Sequence, residues 1–237
     1  MFDLTTLGIS ACSLSATFGA AYYATCAVRS QWLGETFWHG REDTSSVALT
    51  FDDGPADDTG AILDLLAERN LKATFFMVGR QVERYPEAAR SVLVEGHEVG
   101  NHSYSHPVYL YRSARETRSQ LRRAQDTIAE TTGVEPKFAR PPCGVRTPAY
   151  FSAAREMNLR TVQWSDAGFD WQKIGAREIA RNVLRKVRSG SIILLHDGDS
   201  RLKQDRRQTL LSLPFIIEGL RARGLKIAPL SELLSTV

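Results

Sequence analysis

From Val47 onward the hydrophobic positions switch repeatedly between two periods. Short runs rich in β-branched and aliphatic residues predict strands at Val47–Phe51, Ala73–Val78, His97–Asn101, Lys137–Arg140, Thr161–Trp164, Ser191–Leu195 and Lys226–Pro229. Amphipathic stretches between them predict helices at Thr59–Arg69, Pro86–Glu95, Ser113–Thr131, Pro148–Met157, Ala176–Arg188 and Arg207–Arg221. Pro86 and Pro148 stand at first-turn positions, where the missing N–H breaks no helical bond. Gly96, Gly133 and Gly190 stand just past predicted helix ends, where a left-handed cap favours glycine.

Strands that alternate with helices pair in parallel through right-handed crossovers. Seven such units within about 190 residues suit a deformed (β/α)7 barrel of parallel strands better than an open doubly wound sheet. No glycine-rich phosphate loop follows the first strand, which removes the usual reason for an open sheet. Residues 47–237 are expected to form this domain. The stretch 31–46, polar and carrying Gly34 and Gly40, reads as a linker.

The first 30 residues differ in texture. Leu7–Val28 holds no charged residue, which is about the length that crosses a bilayer core as a helix. Ala16, Ala20 and Ala24 form a stripe of small residues that admits a second helix. Asp3 stands where a signal peptide usually carries Lys or Arg, so residues 1–30 are expected to be an apolar N-terminal helix acting as an uncleaved membrane anchor. Arg29 and Arg41 follow the span with no Lys or Arg before it, which by the positive-inside rule argues weakly against export.

Composition narrows the picture further. The net charge of +3 does not by itself imply a nucleic-acid or lipid-surface partner. Arg112, Arg115, Arg118, Arg122 and Arg123 share one predicted helix and read as its solvated face. The three cysteines make no disulfide framework. Cys12 and Cys26 would lie about 21 Å apart on a helix, too far to bridge.

The polar residues with chemical potential gather at strand ends. Asp52 and Asp53 follow the first strand, His102 and His106 follow the third, and Arg140 ends the fourth. Asp170 and Trp171 come after the fifth, and His196 and Asp197 end the sixth. In a β/α barrel these positions open onto one face. Histidines four apart share one face of a helical turn and can hold one ion; an added carboxylate gives a His2Asp set with open positions. Structural zinc sites use four protein ligands, often cysteine, so three ligands without cysteine point to catalysis. Two adjacent carboxylates at one site need a cation to stay ionised.

In order and spacing, Thr50-Phe51-Asp52-Asp53-Gly54-Pro55, His102-Ser103-x-x-His106, Arg140-Pro141-Pro142-Cys143-Gly144, Asp170-Trp171 and Leu194-Leu195-His196-Asp197-Gly198 resemble the five motifs of the polysaccharide deacetylases. This is carbohydrate esterase family 4, the NodB-homology enzymes, and the resemblance runs from about Val47 to Leu230. It implies removal of N-acetyl groups from N-acetylhexosamine in a peptidoglycan- or chitin-like glycan. Asp53, His102 and His106 would bind one divalent metal, zinc first and cobalt or nickel next. Asp52 would be the general base, held by Arg140, and His196 the general acid, oriented by Asp170. The backbone N–H of Cys143, a position usually tyrosine in the family, would stabilise the oxyanion. Trp171 would wall the groove, Leu195 would line the acetyl pocket, and Lys72 would tether Asp170. Ala167 stands where the family often has an acidic residue, with Asp166 one position earlier.

Two alternatives accompany this expectation. One is deacetylation or deformylation of a lipid-linked sugar, which an N-terminal membrane segment suits. The other is a silent carbohydrate-binding relative, which would be expected to lose Asp52 or His196. The implied setting is a membrane-anchored, extracytoplasmic domain of a bacterial cell envelope.

Overall fold

A computed structural model of the chain describes residues 17–200 and 204–235. Its centre is β1 (Ser46–Asp52), buried along nearly its whole length. β1 pairs in parallel with β2 (Thr74–Met77) on one side and β7 (Ile192–His196) on the other. Beyond β2 follow β3 (Glu98–Asn101), β4 (Phe138–Ala139) and β5 (Arg160–Thr161), and beyond β7 lies β6 (Asp166–Ala167). An eighth strand, β8 (Lys226–Ile227), pairs with the base of β1. Every ladder is parallel, as the alternating pattern predicts.

The period of two along β1 sorts its side chains. Val47, Leu49 and Phe51 face outward and pack with helices α2 (Thr59–Glu68), α4 (Pro86–Val94), α7 (Ala176–Leu184) and α8 (Arg207–Arg221) in the main core. Ala48 belongs to a second cluster with Phe76, Phe138, Val162 and Ile192. Leu230 and Leu233 of α9 (Leu230–Leu233) join that cluster. The Glu98 carboxylate accepts the Ser231 N–H at the start of α9, and Thr74 Oγ1 accepts that of Leu230. The remaining helices are α3 (Gly79–Arg84), α5 (Ala114–Thr132) and α6 (Pro148–Glu156). α5 starts on a capping box between Ser113 and Glu116 and stops at left-handed Gly133. Its arginines form a solvated face, with Arg118 paired to Glu156 and Arg123 to Glu83.

Three differences from the sequence reading have physical reasons. β6, α3 and α9 are absent from it: they span two to six residues, and no apolar run or helical period of useful length marks them. The stretch 31–46 is not a free linker. Phe37 bridges Val162 and His39 bridges Ser191, so this polar segment satisfies its backbone groups on the flanks of β5 and β7. Gly34 lies so close to Phe151 that a Cβ there would sit 2.5 Å from its ring. The third difference concerns the N-terminus. Residues 17–26 form helix α1, while the first part of the expected Leu7–Val28 span lies outside the described residues. Among the described residues no helix is long and apolar enough to cross a membrane.

Candidate active site

The ends of β1 and β3 bring the first cluster together. Asp53 has φ of +73°, a left-handed turn that swings its carboxylate to the same cavity as Asp52. Its Oδ1 lies 3.6 Å from His102 Nε2 and 3.2 Å from His106 Nε2. The two histidines do not share a helical turn. They are joined by an irregular loop with left-handed Ser103 and His106, in which Asn101 Oδ1 accepts Ser103 N–H and Ser103 Oγ accepts His106 N–H. Buried polar turns of this kind replace helical bonds with side-chain bonds, which a four-residue spacing alone does not reveal.

This triad fits a divalent cation. His102 donates Nδ1–H to the Arg140 carbonyl at 2.7 Å, which leaves Nε2 as the inward donor atom. Burial, then the neighbouring His106, push His102 down to about 3, so the ring stays neutral as a ligand must. Asp53 Oδ1 is buried and lacks a hydrogen-bond partner. Asp53, His102 and His106 are the group whose ligand atoms lie within 4.8 Å of one another among the described residues.

Asp52 faces the same cavity from the last position of β1. Arg140, wholly buried, donates from one guanidinium nitrogen to Asp52 Oδ1 at 2.7 Å and to Thr50 Oγ1 at 2.8 Å. Its other terminal nitrogen reaches the Gln163 carbonyl at 3.0 Å, and the guanidinium lies over the Phe76 ring. Burial raises the Asp52 carboxyl above the usual range despite Arg140.

On the adjacent strand, His196 is the ladder partner of Asp52. Its Nδ1 bonds Asp170 Oδ1 at 2.8 Å, and its backbone N–H donates to Asp170 Oδ2 at 2.8 Å. Burial alone would lower the imidazole, but Asp170, with Asp53 and Asp52 behind it, raises it to about 9. Trp171 meets His196 edge-on at 5.4 Å between centroids and is partly exposed on the rim.

One cavity of about 480 Å³ contains Asp52, Asp53, His102, His106 and His196, with Cys143, Trp164, Trp171 and Leu194 among its walls. Leu194, not Leu195, faces it. Leu195 points the other way, as the period of two requires, into the core with Ile179 and Val183. Leu195→Ala is therefore expected to lower unfolding stability by about 2–5 kcal/mol in denaturant titrations. Leu194→Ala should instead act on KM for the acetylated substrate; the reverse pattern would refute this assignment.

Residues 39–162 match the profile of the polysaccharide deacetylases. The chain belongs to the polysaccharide deacetylase family. Over 204 residues it is 37% identical to a peptidoglycan-N-acetylglucosamine deacetylase of Bacillus cereus, covering 85% of this chain and 93% of that one. A chitooligosaccharide deacetylase of Azorhizobium caulinodans is 34% identical over 198 residues, 80% and 94% of the two chains. Among solved structures, a peptidoglycan N-acetylglucosamine deacetylase in complex with 4-naphthalen-1-yl-N-oxidanyl-benzamide superposes with a TM-score of 0.80 at 34% identity. That match covers 85% of this chain and 94% of the other. This polysaccharide deacetylase is thus an amide hydrolase acting on carbon–nitrogen bonds outside peptides, and deacetylases of its family use a divalent metal.

Several supports of the deacetylase site carry no sequence signal. Lys72, the expected tether of Asp170, precedes β2 at the opposite end of the strands and donates to the Glu95 carbonyl. Asp170 is held instead by Thr209 Oγ1 at 2.7 Å, while Arg206 reaches its carbonyl at 3.2 Å. Both lie around the start of α8, where helical spacing gives no hint of a bond across the cavity. Asp197 accepts from Thr59 Oγ1, and burial, with Asp53 and Asp52 nearby, raises it to about 7. A Cβ on Gly54 would stand 2.0 Å from Asp197 Oδ2, so only glycine fits that turn. Asp166 bonds Ser165 and is not among the cavity-lining residues.

Proposed function

We propose that this chain removes acetyl groups from N-acetylhexosamine in a peptidoglycan- or chitin-like glycan, with zinc at Asp53, His102 and His106. The observation that carries it is the placement of Asp52 and His196 on neighbouring strands in one cavity with that triad, backed by Arg140 and Asp170. Two imidazoles and one carboxylate suit zinc, with cobalt or nickel as substitutes. A divalent cation bound there supplies Lewis acidity to the acetyl carbonyl and to water.

The chain's own groups supply the rest. Asp52, ionised and held by Arg140, takes the proton from the attacking water as the water oxygen bonds to the carbonyl carbon. The Cys143 backbone N–H donates to the developing oxyanion. His196 gives its Nε2 proton to the sugar nitrogen as the C–N bond breaks, since an amide anion is too poor a leaving group, and Asp170 stabilises the imidazolium. Acetate and the free amine are the products. Leu194 and Trp171 flank the acetyl group and the sugar ring. Retention of both Asp52 and His196 argues against a silent binding relative.

Acetate release from chitooligosaccharides and from peptidoglycan, each with and without a chelator, tests the reading. Release that stops with chelator and returns with zinc is expected; no acetate from either glycan in the zinc-loaded enzyme would sink it.

The pH profile gives a second test. His196 must be protonated, and Asp170 holds its imidazole above the ordinary value, so activity is expected to fall on the alkaline side as that proton is lost. Asp170→Asn removes the group that raises His196, so the alkaline limb should move down by about one pH unit or more. An unmoved limb would show that another group sets it.

The N-terminus motivates one further proposal, that the enzyme sits at a bacterial cell envelope with residues 7–28 associating with the membrane. Support comes from the charge-free stretch and from the exposed aromatics Phe18 and Tyr22 within it and Trp32 just past it. Recovery of all the protein in the soluble fraction of a lysate would contradict it.

A further inference from the structure

Arg146 follows the cavity-lining residues Cys143 and Gly144 by three and two positions and is fully buried. Among the described residues no carboxylate pairs with its guanidinium. Its acceptors are backbone carbonyls just beyond α1: Ala27, Ser30 at 3.3 Å and Val28 at 3.4 Å. The Arg146 backbone N–H adds a bond of 3.0 Å to the Thr25 carbonyl, within the last turn of α1. A helix leaves its final carbonyls unsatisfied and carries partial negative charge at that end. Arg146 answers both, so each side of the contact supplies what the other lacks.

The loop so gripped carries strain. Cys143 has φ of +55°, a conformation that a residue with a Cβ holds only when its surroundings over-determine it. On the inner side Gln163 Nε2 donates to the Gly144 carbonyl at 2.8 Å. On the outer side Arg146 and α1 hold the next turn of chain. α1 lies ahead of residues 39–162, the part matched by the family profile, so this support comes from the N-terminal segment.

We propose that α1, acting through the positioning residue Arg146, fixes the Cys143–Gly144 loop in its catalytic conformation. The N-terminal segment is then a working part of the active site as well as a leader to the barrel. The kinetic side of this inference rests on the deacetylase reading above.

The test compares wild type, Arg146→Lys, Arg146→Ala, Ala24→Pro and the Arg146→Ala/Ala24→Pro double variant, each as the full zinc-loaded chain. Amide exchange over residues 141–147 is measured beside that of β2, together with kcat and KM for acetate release. Exchange over 141–147 is expected to quicken by about tenfold or more in Arg146→Ala and Ala24→Pro, with β2 unaffected. In the same variants kcat should fall by about tenfold or more while KM and zinc content stay within about twofold. Arg146→Lys should recover part of the loss, and the double variant should be no worse than Arg146→Ala alone, because both changes break one linkage.

Unchanged exchange over 141–147 in Arg146→Ala, or losses that multiply in the double variant, would overturn the proposal. Where Arg146→Ala fails to fold, Arg146→Lys and Ala24→Pro decide it, and unchanged exchange in both would overturn it. A wild type that releases no acetate refutes the deacetylase reading, while the exchange data still decide the role of α1.

Discussion

Asp52→Asn is expected to lower kcat for acetate release by about a hundred- to ten-thousandfold, the range typical of a lost general base. The exchange is nearly isosteric and keeps an oxygen to accept from Arg140, so the local geometry should survive. What it removes is the carboxylate held by Arg140 beside the metal triad, the group assigned to take a proton from water. It also leaves Arg140 buried without its counter-charge, and breaking a buried pair destabilises by about 3–5 kcal/mol. Kinetics must therefore be read well below the lowered melting temperature, beside elemental analysis of zinc. Near wild-type turnover with full zinc would show that another group serves as base. Loss of zinc along with activity would move Asp52 into the ligand set.

His102→Ala should empty the metal site. His102 is the more buried of the two histidines, and its ring is fixed by the Arg140 carbonyl. Removing it leaves two ligands, too few to hold zinc against water, and orphans a buried carbonyl. Because ligand binding stabilises the folded state by mass action, zinc at about a hundred times its Kd adds about 2.7 kcal/mol to the wild type. The variant should show neither that rise in melting temperature on zinc addition nor metal by elemental analysis. A His102→Ala protein that still carries stoichiometric zinc and melts higher with it would remove His102 from the ligand set.

Much of this architecture is legible in the sequence because the barrel repeats one pattern. β1 and β7 are apolar runs, and each ends in a residue that turns to the cavity, so the pair Asp52 and His196 could be found from strand ends alone. The positions that escaped are those where function rests on direction rather than on type. Leu194 and Leu195 are identical in chemistry, and only the register of β7 decides which faces the substrate. Arg206 and Thr209 reach Asp170 from α8, across a distance in sequence that no local spacing records. The stretch 31–46 looked like a linker because its side chains are polar, yet its backbone does the bonding.

The ladder pairing of Asp52 with His196 has a geometric corollary. The spacing between the group that accepts a proton and the group that returns it is set by two hydrogen-bonded strands, about 4.8 Å apart in any sheet. Insertions and deletions in the surrounding loops cannot stretch that interval, and a slip of one residue in either strand would turn its own group away from the cavity. The reach between base and acid in this chain is therefore a property of the sheet as much as of the two side chains. The rim, where Cys143 and Trp171 stand, lies off those two strands, so side chains can change there without altering that reach.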